Sequence, residues 1–323
     1  MNETKIKHLH EYSFEEFRNL IHACLEETIP DLEVYPNLAG GWTNINLHAS
    51  SNNLSLIIKI PAETRTFEKN PFEYAFSIAT DLYRLNLTPQ PITIGKLSDT
   101  IETPFAIYEY IAGRRYSDLS QLSSNELDVL IALKSKLNAV RPGKIHSFGS
   151  MSEYLDYFIS RQKGEWLELK PKSMLLEKSL QMLMQATEDS ESIYDLEEWP
   201  DEFMHGDFHL GNIVFSDRNP VLLDFEEAAL GNPLYDYAYL TMESYNPEMY
   251  NRILKGKIPN LESIQYRHLC KVALIAIIAW TYNRLIRIEY NLVDPLLADE
   301  NRVKMMRSYL ATKIELLSVM KEF

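Results

Sequence analysis

Phe203-Met-His-Gly-Asp-Phe-His-Leu-Gly-Asn-Ile-Val-Phe215, followed by Val221-Leu-Leu-Asp-Phe-Glu226, is the stretch on which the reading of this chain turns. It consists of two short apolar runs, each delivering a carboxylate or an amide toward one spot. Asn212 follows Asp207 by five residues, and Asp224 follows Asp207 by seventeen. Asp207 is a carboxylate able to accept the proton of a hydroxyl, or simply to aim it. Asn212 offers an amide oxygen, a hard ligand suited to magnesium. Asp224 stands at the end of Val221-Leu-Leu223, and a buried strand is a good way to fix a metal ligand. Any one of these residues alone would more often be a cap or a loop residue. Together, flanked by apolar runs, they form the set needed to hold magnesium on a nucleotide and orient an attacking hydroxyl, where positioning and charge neutralisation do most of the work.

Composition sets the frame for this site. The chain has 323 residues, enough for one large domain or two lobes with cores of their own. Its 46% hydrophobic and 24% charged residues match an ordinary soluble globular protein. The net charge of -14 disfavours non-specific binding to nucleic acid, and fits either a solvated surface or a cationic small substrate. Two distant cysteines, Cys24 and Cys270, do not make a disulfide framework, so a reducing cytoplasm is expected. The N-terminus lacks the apolar core of a signal peptide. The most apolar window, Val272 to Trp280, is too short to span a bilayer and reads as part of a buried helix.

Periodicity places the elements. Ser13 with Glu16 forms a capping box ahead of Phe14, Phe17, Leu20 and Ile21, which predicts a helix to about Glu27. Strand patterns run from Leu32 to Ile60, with Ser50-Ser-Asn-Asn53 as a hairpin turn. A helix is predicted from Pro71 to Leu85, and strands near 92–94 and 105–110. After Gly113 helices dominate: 124–139, 150–164, 172–188, from about Leu234, 262–290 and 297–320. Ser123 with Glu126 and Ser150 with Glu153 are further capping boxes. Short strands near 213–215 and 220–224 interrupt these helices. The change of texture near Tyr110–Gly113 divides the chain into residues 1–110 and 111–323.

The pattern His205-Gly-Asp207-x-x-x-x-Asn212, then Leu223-Asp-Phe-Glu226, then Gly231-Asn-Pro-Leu-Tyr-Asp236, resembles the aminoglycoside phosphotransferase and choline kinase superfamily. The likeness runs from about Leu38 to Leu240. It implies an α+β protein-kinase-like fold with two lobes. The N-lobe would be a small antiparallel sheet, and the C-lobe larger and mainly helical. The departures from protein kinases fit as well: Gly206 stands where arginine is usual, and Asp-Phe-Glu replaces Asp-Phe-Gly.

The resemblance assigns further roles. Gly40-Gly41-Trp42-Thr43-Asn44 is similar to the phosphate-covering hairpin loop, with Gly40, Gly41, Thr43 and Asn44 as nucleotide-binding residues. Lys59, inside the apolar strand Leu56-Ile-Ile-Lys-Ile60, is costly there unless paired. The resemblance pairs it with the nucleotide phosphates and a glutamate; Glu73 is the choice, with Glu68 and Glu63 as competitors. An edge-strand lysine facing water is the alternative. Glu109 and Ile111 would offer backbone groups to the base. Asp236 would support the loop of Asp207. His205 would pack beneath that loop, and His209 reads as a loop residue. The implied cofactors are ATP, with GTP possible, and Mg2+. The implied partners are a nucleotide and a small hydroxyl-bearing acceptor, with no nucleic acid and no membrane.

The acceptor divides the readings. Glu226, Glu227 and Glu243, with Tyr235, Tyr237, Tyr239, Tyr245, Trp280 and Tyr282, would suit a cation such as an aminoglycoside or choline, unless these aromatics are core. The leading expectation is an aminoglycoside phosphotransferase-like enzyme. A choline, ethanolamine or thiamine kinase-like enzyme is the alternative, and a catalytically silent nucleotide-binding protein a second.

Overall fold

The computed structural model describes residues 14–26, 28–38, 41–52, 54–62, 69–97, 103–190, 200–217 and 219–320. Helix α1 (Phe14–Leu25) buries Phe17, Ile21 and Leu25, spaced at one helical turn, in the core of the sheet that follows. Ser13, its expected cap, lies outside the described residues. Strands β1 (Glu33–Leu38), β2 (Asn44–Ser51), β3 (Leu54–Pro61), β4 (Pro91–Lys96) and β5 (Pro104–Glu109) form one antiparallel sheet, ordered β1-β2-β3-β5-β4. The expected hairpin joins β2 to β3, and Asn52 takes the positive φ of 46° that its turn requires. Leu56, Ile58 and Ile60 point into the core, which puts Lys59 on the opposite face. Because β3 lies between β2 and β5, the edge-strand alternative for Lys59 is overturned.

Helix α2 (Glu73–Tyr83) follows the sheet's third strand. Beyond β5 come α3 (Ser124–Asn138), the two-residue β6 (His146–Ser147), α4 (Met151–Glu168) and α5 (Met174–Ser190). The capping box at Ser123 and Glu126 is present. The motif region supplies β7 (Glu202–Met204), β8 (Ile213–Phe215), β9 (Pro220–Leu222) and β10 (Ala229–Gly231). Strands β8 and β9 form a two-stranded hairpin, while β10 pairs with β6 in parallel and β7 antiparallel. Helices α6 (Leu234–Glu243), α7 (Pro247–Leu254), α8 (Ile264–Glu289) and α9 (Glu300–Met320) complete the helical part. Sequence reading missed α7, β6, β7 and β10. Strands of two or three residues show no period to detect.

Helix α8 is the spine of this part, in contact with α4, α5, α6 and α9. Its middle, residues 272–279, is apolar and buried on all sides, as a helix enclosed by others should be. At 26 residues it is long and apolar enough to cross a membrane, unlike the short apolar window expected from 272–280. Burial decides instead: 89% of its most apolar window is covered by the rest of the protein.

The two hydrophobic clusters do not follow chain order. Ala75, Ile78, Ala79 and Leu82 of α2 join the core of the helical part. Val293 and Leu297, from the connection between α8 and α9, join the core of the sheet.

Candidate active site

The catalytic-type loop is built around two buried groups. Asp236, in the first turn of α6, is fully buried and accepts bonds from the backbone N–H of His205 (2.8 Å) and Gly206 (3.0 Å). Its counter-ion is Lys134 of α3, equally buried, with Nζ 3.0 Å from Asp236 Oδ2. Burial lowers the lysine pKa, and the Asp236 carboxylate opposes that shift. A charge so enclosed is tolerated because each partner neutralises the other.

His205 links this anchor to the next strand pair. Its Nε2 donates to Leu223 O at 2.8 Å, and its Nδ1 accepts from the Asp207 N–H at 3.3 Å. One donor and one acceptor define the neutral imidazole. Burial lowers its pKa and keeps it in that form. Leu223 N–H in turn bonds Asn212 O at 2.9 Å, so the segments carrying Asp207, Asn212 and Asp224 are tied through one histidine and one strand end.

Gly206 closes the turn with φ +80°, a backbone conformation that favours glycine. A Cβ there would sit 2.1 Å from Glu227 O, so the position admits no side chain. This gives the glycine of His-Gly-Asp a physical reason.

Asn212 and Asp207 meet directly. Asn212 Nδ2 donates to Asp207 Oδ2 at 2.8 Å and to Asp207 O at 3.0 Å. Both bonds use the amide nitrogen, so the lone pairs of the Asn212 oxygen are not spent on them. Asp224 adopts φ 60°, an unusual conformation for a residue with a side chain, at the end of β9's run. Its Oδ1 forms an ion pair with Lys59 Nζ. Burial lowers the Lys59 pKa, while the nearby Glu226 and Asp207 carboxylates work the other way. Lys59, Asp207, Asn212 and Asp224 therefore share one neighbourhood, although they come from three separate stretches of chain.

His209 does more than sit in the loop. Its Nδ1 accepts from the Gly211 N–H at 3.1 Å, capping the single helical turn at 210–212. Its Nε2 stands 3.5 Å from Asp207 Oδ2. Burial would lower the His209 pKa, but the Asp207 carboxylate outweighs it and pushes the pKa up to about 9. Burial would likewise raise the Asp207 carboxyl; His209, with a hydrogen bond from Tyr239, holds it well below the usual carboxylate range.

The other expected site residues fall as follows. Gly40 lies outside the described residues. Gly41 has φ +116°, and Thr43 and Asn44 lead into β2. Asn44 does not project as a free donor: its Nδ2 bonds Glu226 Oε1 at 3.1 Å. Glu226 thus ties the hairpin to the Asp224 turn, a pairing that sequence reading missed. Glu73 is corrected as the partner of Lys59. It is exposed in the first turn of α2, and among the described residues the carboxylates acting on Lys59 are those of Asp224, Glu226 and Asp207. Glu63 and Glu68 lie outside the described residues. Glu109 ends β5, where its N–H bonds Gln90 O (2.8 Å), and the Tyr110 N–H bonds Ser55 O (2.7 Å). Ile111 follows in the linker, which then crosses to β8 through paired backbone bonds between Arg114 and Phe215. Of the aromatics, Tyr235, Tyr237 and Tyr282 are core, while Tyr239 is partly buried and Tyr245 is exposed.

Among the described residues, no three His, Cys, Asp or Glu side chains are arranged to hold a metal alone. Asn212 and Asp224 supply an amide oxygen and a carboxylate, which suits magnesium. That ion is commonly held by one or two carboxylates together with the phosphates of a nucleotide.

A family model described as the phosphotransferase enzyme family matches residues 35–265 of the chain. The chain belongs to this family. Among solved structures of the phosphotransferase fold, a choline kinase from Streptococcus pneumoniae aligns at TM-score 0.59 and 17% identity, over 93% of this chain and 100% of that one. A thermostable mutant of an aminoglycoside phosphotransferase, in ternary complex with AMP-PNP and hygromycin B, aligns at 0.57 and 15%, over 91% and 97%. The two-part, kinase-like architecture is thus that of the phosphotransferase family. Among curated proteins, human acyl-CoA dehydrogenase family member 11 is 25% identical over 217 residues, covering 58% of this chain and 26% of that protein. Mouse acyl-CoA dehydrogenase family member 10 is 28% identical over 212 residues, 61% and 19%. The chain therefore spans about a quarter or less of the curated relatives it matches.

Proposed function

We propose that the chain is a magnesium- and ATP-dependent kinase that moves the γ-phosphate to a hydroxyl of a small molecule. The observation that carries this reading is the convergence of Asp207, Asn212, Asp224 and Lys59, with Asn212 Nδ2 2.8 Å from Asp207 Oδ2 and Lys59 paired with Asp224. Asp207 is ionised and aimed by Asn212 and His209, so it can accept or orient the acceptor's hydroxyl proton. Lys59, in the middle of the sheet, neutralises phosphate oxygens. Asn212 and Asp224 would hold the magnesium, which when bound offsets charge on the phosphates. Nucleotide and cation together would replace the Lys59–Asp224 pair, giving each charge a new partner. The aminoglycoside phosphotransferase and choline kinase neighbours, one of them with AMP-PNP bound, support the nucleotide part. A neighbour in complex with GDP and kanamycin is a reason to test GTP as well.

For the acceptor, Glu243 beside Tyr309, with Tyr239 next to Asp207, favours a cationic molecule such as an aminoglycoside or an amino alcohol. The curated relatives favour a second class, because their names place them with acyl-CoA dehydrogenases: a hydroxyl carried on an acyl-CoA. The test is acceptor-dependent ADP release with magnesium, across aminoglycosides, amino alcohols, thiamine and hydroxyacyl-CoA thioesters. One class should stimulate release, and Asp207→Asn should reduce it about 10²–10⁴-fold while leaving ATP binding intact. Binding of ATP without turnover on any acceptor class would favour a silent nucleotide-binding protein. Unchanged turnover in Asp207→Asn would remove the mechanism.

A further inference from the structure

The start of α9 reaches across to the expected phosphate-covering loop. Arg302 Nη1 donates to Gly41 O at 3.0 Å, and its guanidinium lies 5.7 Å from the ring centre of Trp42. Arg302 Nε is held by Asp299 Oδ2 at 3.2 Å. Asp299 is itself fixed, because its Oδ1 accepts the N–H groups of Asn301 and Arg302, both at 3.1 Å. A cation in the first turn of a helix opposes the helix dipole. Its placement there is therefore not explained by α9's own stability. It is explained by what the guanidinium holds.

Gly41 takes φ +116°, and Trp42 beside it is about half exposed. The other end of the loop is tied by Asn44 to Glu226. In a trans peptide the carbonyl and the next N–H point in opposite directions. By fixing Gly41 O, Arg302 therefore also fixes the direction of the Trp42 N–H, one of the loop's donors.

Resting on the kinase reading above, we infer that Arg302 is a positioning residue: it pre-orders the Gly41–Trp42 peptide for nucleotide phosphates, and so couples the nucleotide grip to α9. The same helix carries Tyr309 and Lys313, which stand beside Glu243 on the acceptor side. Holding a binding peptide in one orientation before the ligand arrives lowers the cost of binding.

The test is calorimetric titration of Mg·ATP and of adenosine into the wild type, Arg302→Ala and Arg302→Lys. Adenosine lacks the phosphates and serves as the control. Arg302→Ala should weaken Mg·ATP about tenfold and leave adenosine unchanged, because the loop acts on phosphates alone. Arg302→Lys, which keeps the charge without the planar fork, should recover only part of the loss. Equal affinity of wild type and Arg302→Ala for Mg·ATP would overturn the inference. So would a parallel loss for adenosine with a lowered melting temperature, which marks a purely structural role. If Arg302→Ala does not fold, Trp42→Leu should show a smaller loss of the same phosphate-selective kind, and its absence overturns the inference too. Failure of the wild type to bind Mg·ATP at all would instead remove the kinase reading on which this one stands.

Discussion

At the scale of single residues, the site depends on positions where one atom more or one charge less changes the geometry. Gly206 is the sharpest case. Alanine there must displace Glu227 O or the Asp207 peptide. Gly206→Ala should therefore lower kcat by about 10²-fold or more, because a misplaced catalytic group loses much of its effective concentration. Steady-state kinetics alongside a melting curve will show whether the loss exceeds that of stability. His209 makes a second prediction. Its folded pKa of about 9 lies above its ordinary 6.5, so the folded state holds the proton more tightly than the unfolded one. The stabilisation is complete below about pH 6.5 and is lost as pH rises to about 9. Denaturation midpoints should fall across that window in the wild type, and His209→Gln should flatten the decline. A parallel decline in both proteins would show that another group titrates.

At the scale of elements, two lysines on apolar helix faces mark where helices are joined. Lys134 follows Leu127, Leu130 and Leu133 along the buried side of α3. Lys313 sits between Leu310, Ile314 and Leu317 on α9. Both meet the same requirement: a charge on a buried stripe needs a partner. Lys134 meets Asp236. Lys313 Nζ donates to the carbonyls of Met242, Glu243 (2.9 Å) and Ser244 (2.6 Å), at the buried C-terminal end of α6. Helix termini leave carbonyls without partners, and this lysine supplies donors. Lys313→Met should cost about 2–5 kcal/mol, from carbonyls left buried without a donor. Urea denaturation measures it; a change under 1 kcal/mol would mean that water replaces the amine. Element boundaries themselves were largely legible. Strand 213–215 and the helix starting at Leu234 fall where expected: the first is an apolar run beside the motif, and the second follows Pro233, which suits a helix start.

At the scale of the whole molecule, the connection between α8 and α9 binds the sheet to the helical part. Val293 and Leu297 bury themselves in the sheet's core, and Asp294 N–H bonds Ala62 O at 2.8 Å. The sheet therefore lacks part of its own core until the end of the chain arrives. Leu297→Ala should cost about 2–5 kcal/mol, and the loss should appear in the sheet. Hydrogen exchange of the β1–β5 amides is the measurement. Faster exchange confined to α9, with the sheet unchanged, would show that the docking is superficial.

The sequence by itself determined the alternation that makes β3 a strand with Lys59 on its minority face, the caps of the helices, and the spacing that gathers Asp207, Asn212 and Asp224. The strand and the caps depend on neighbours within a few residues, where hydrogen-bond geometry and side-chain period are set locally, and the three motif residues lie within seventeen of one another. Only the tertiary structure decided which carboxylates face Lys59, that Asn44 bonds Glu226, that His209 leans on Asp207, and that Arg302 holds Gly41. Each of these joins groups between two and 261 residues apart, and is settled by which charge is desolvated beside which partner once both cores close. Such pairings leave no period in a chain, because the same side chain in the same local pattern can serve any partner that folding brings within reach.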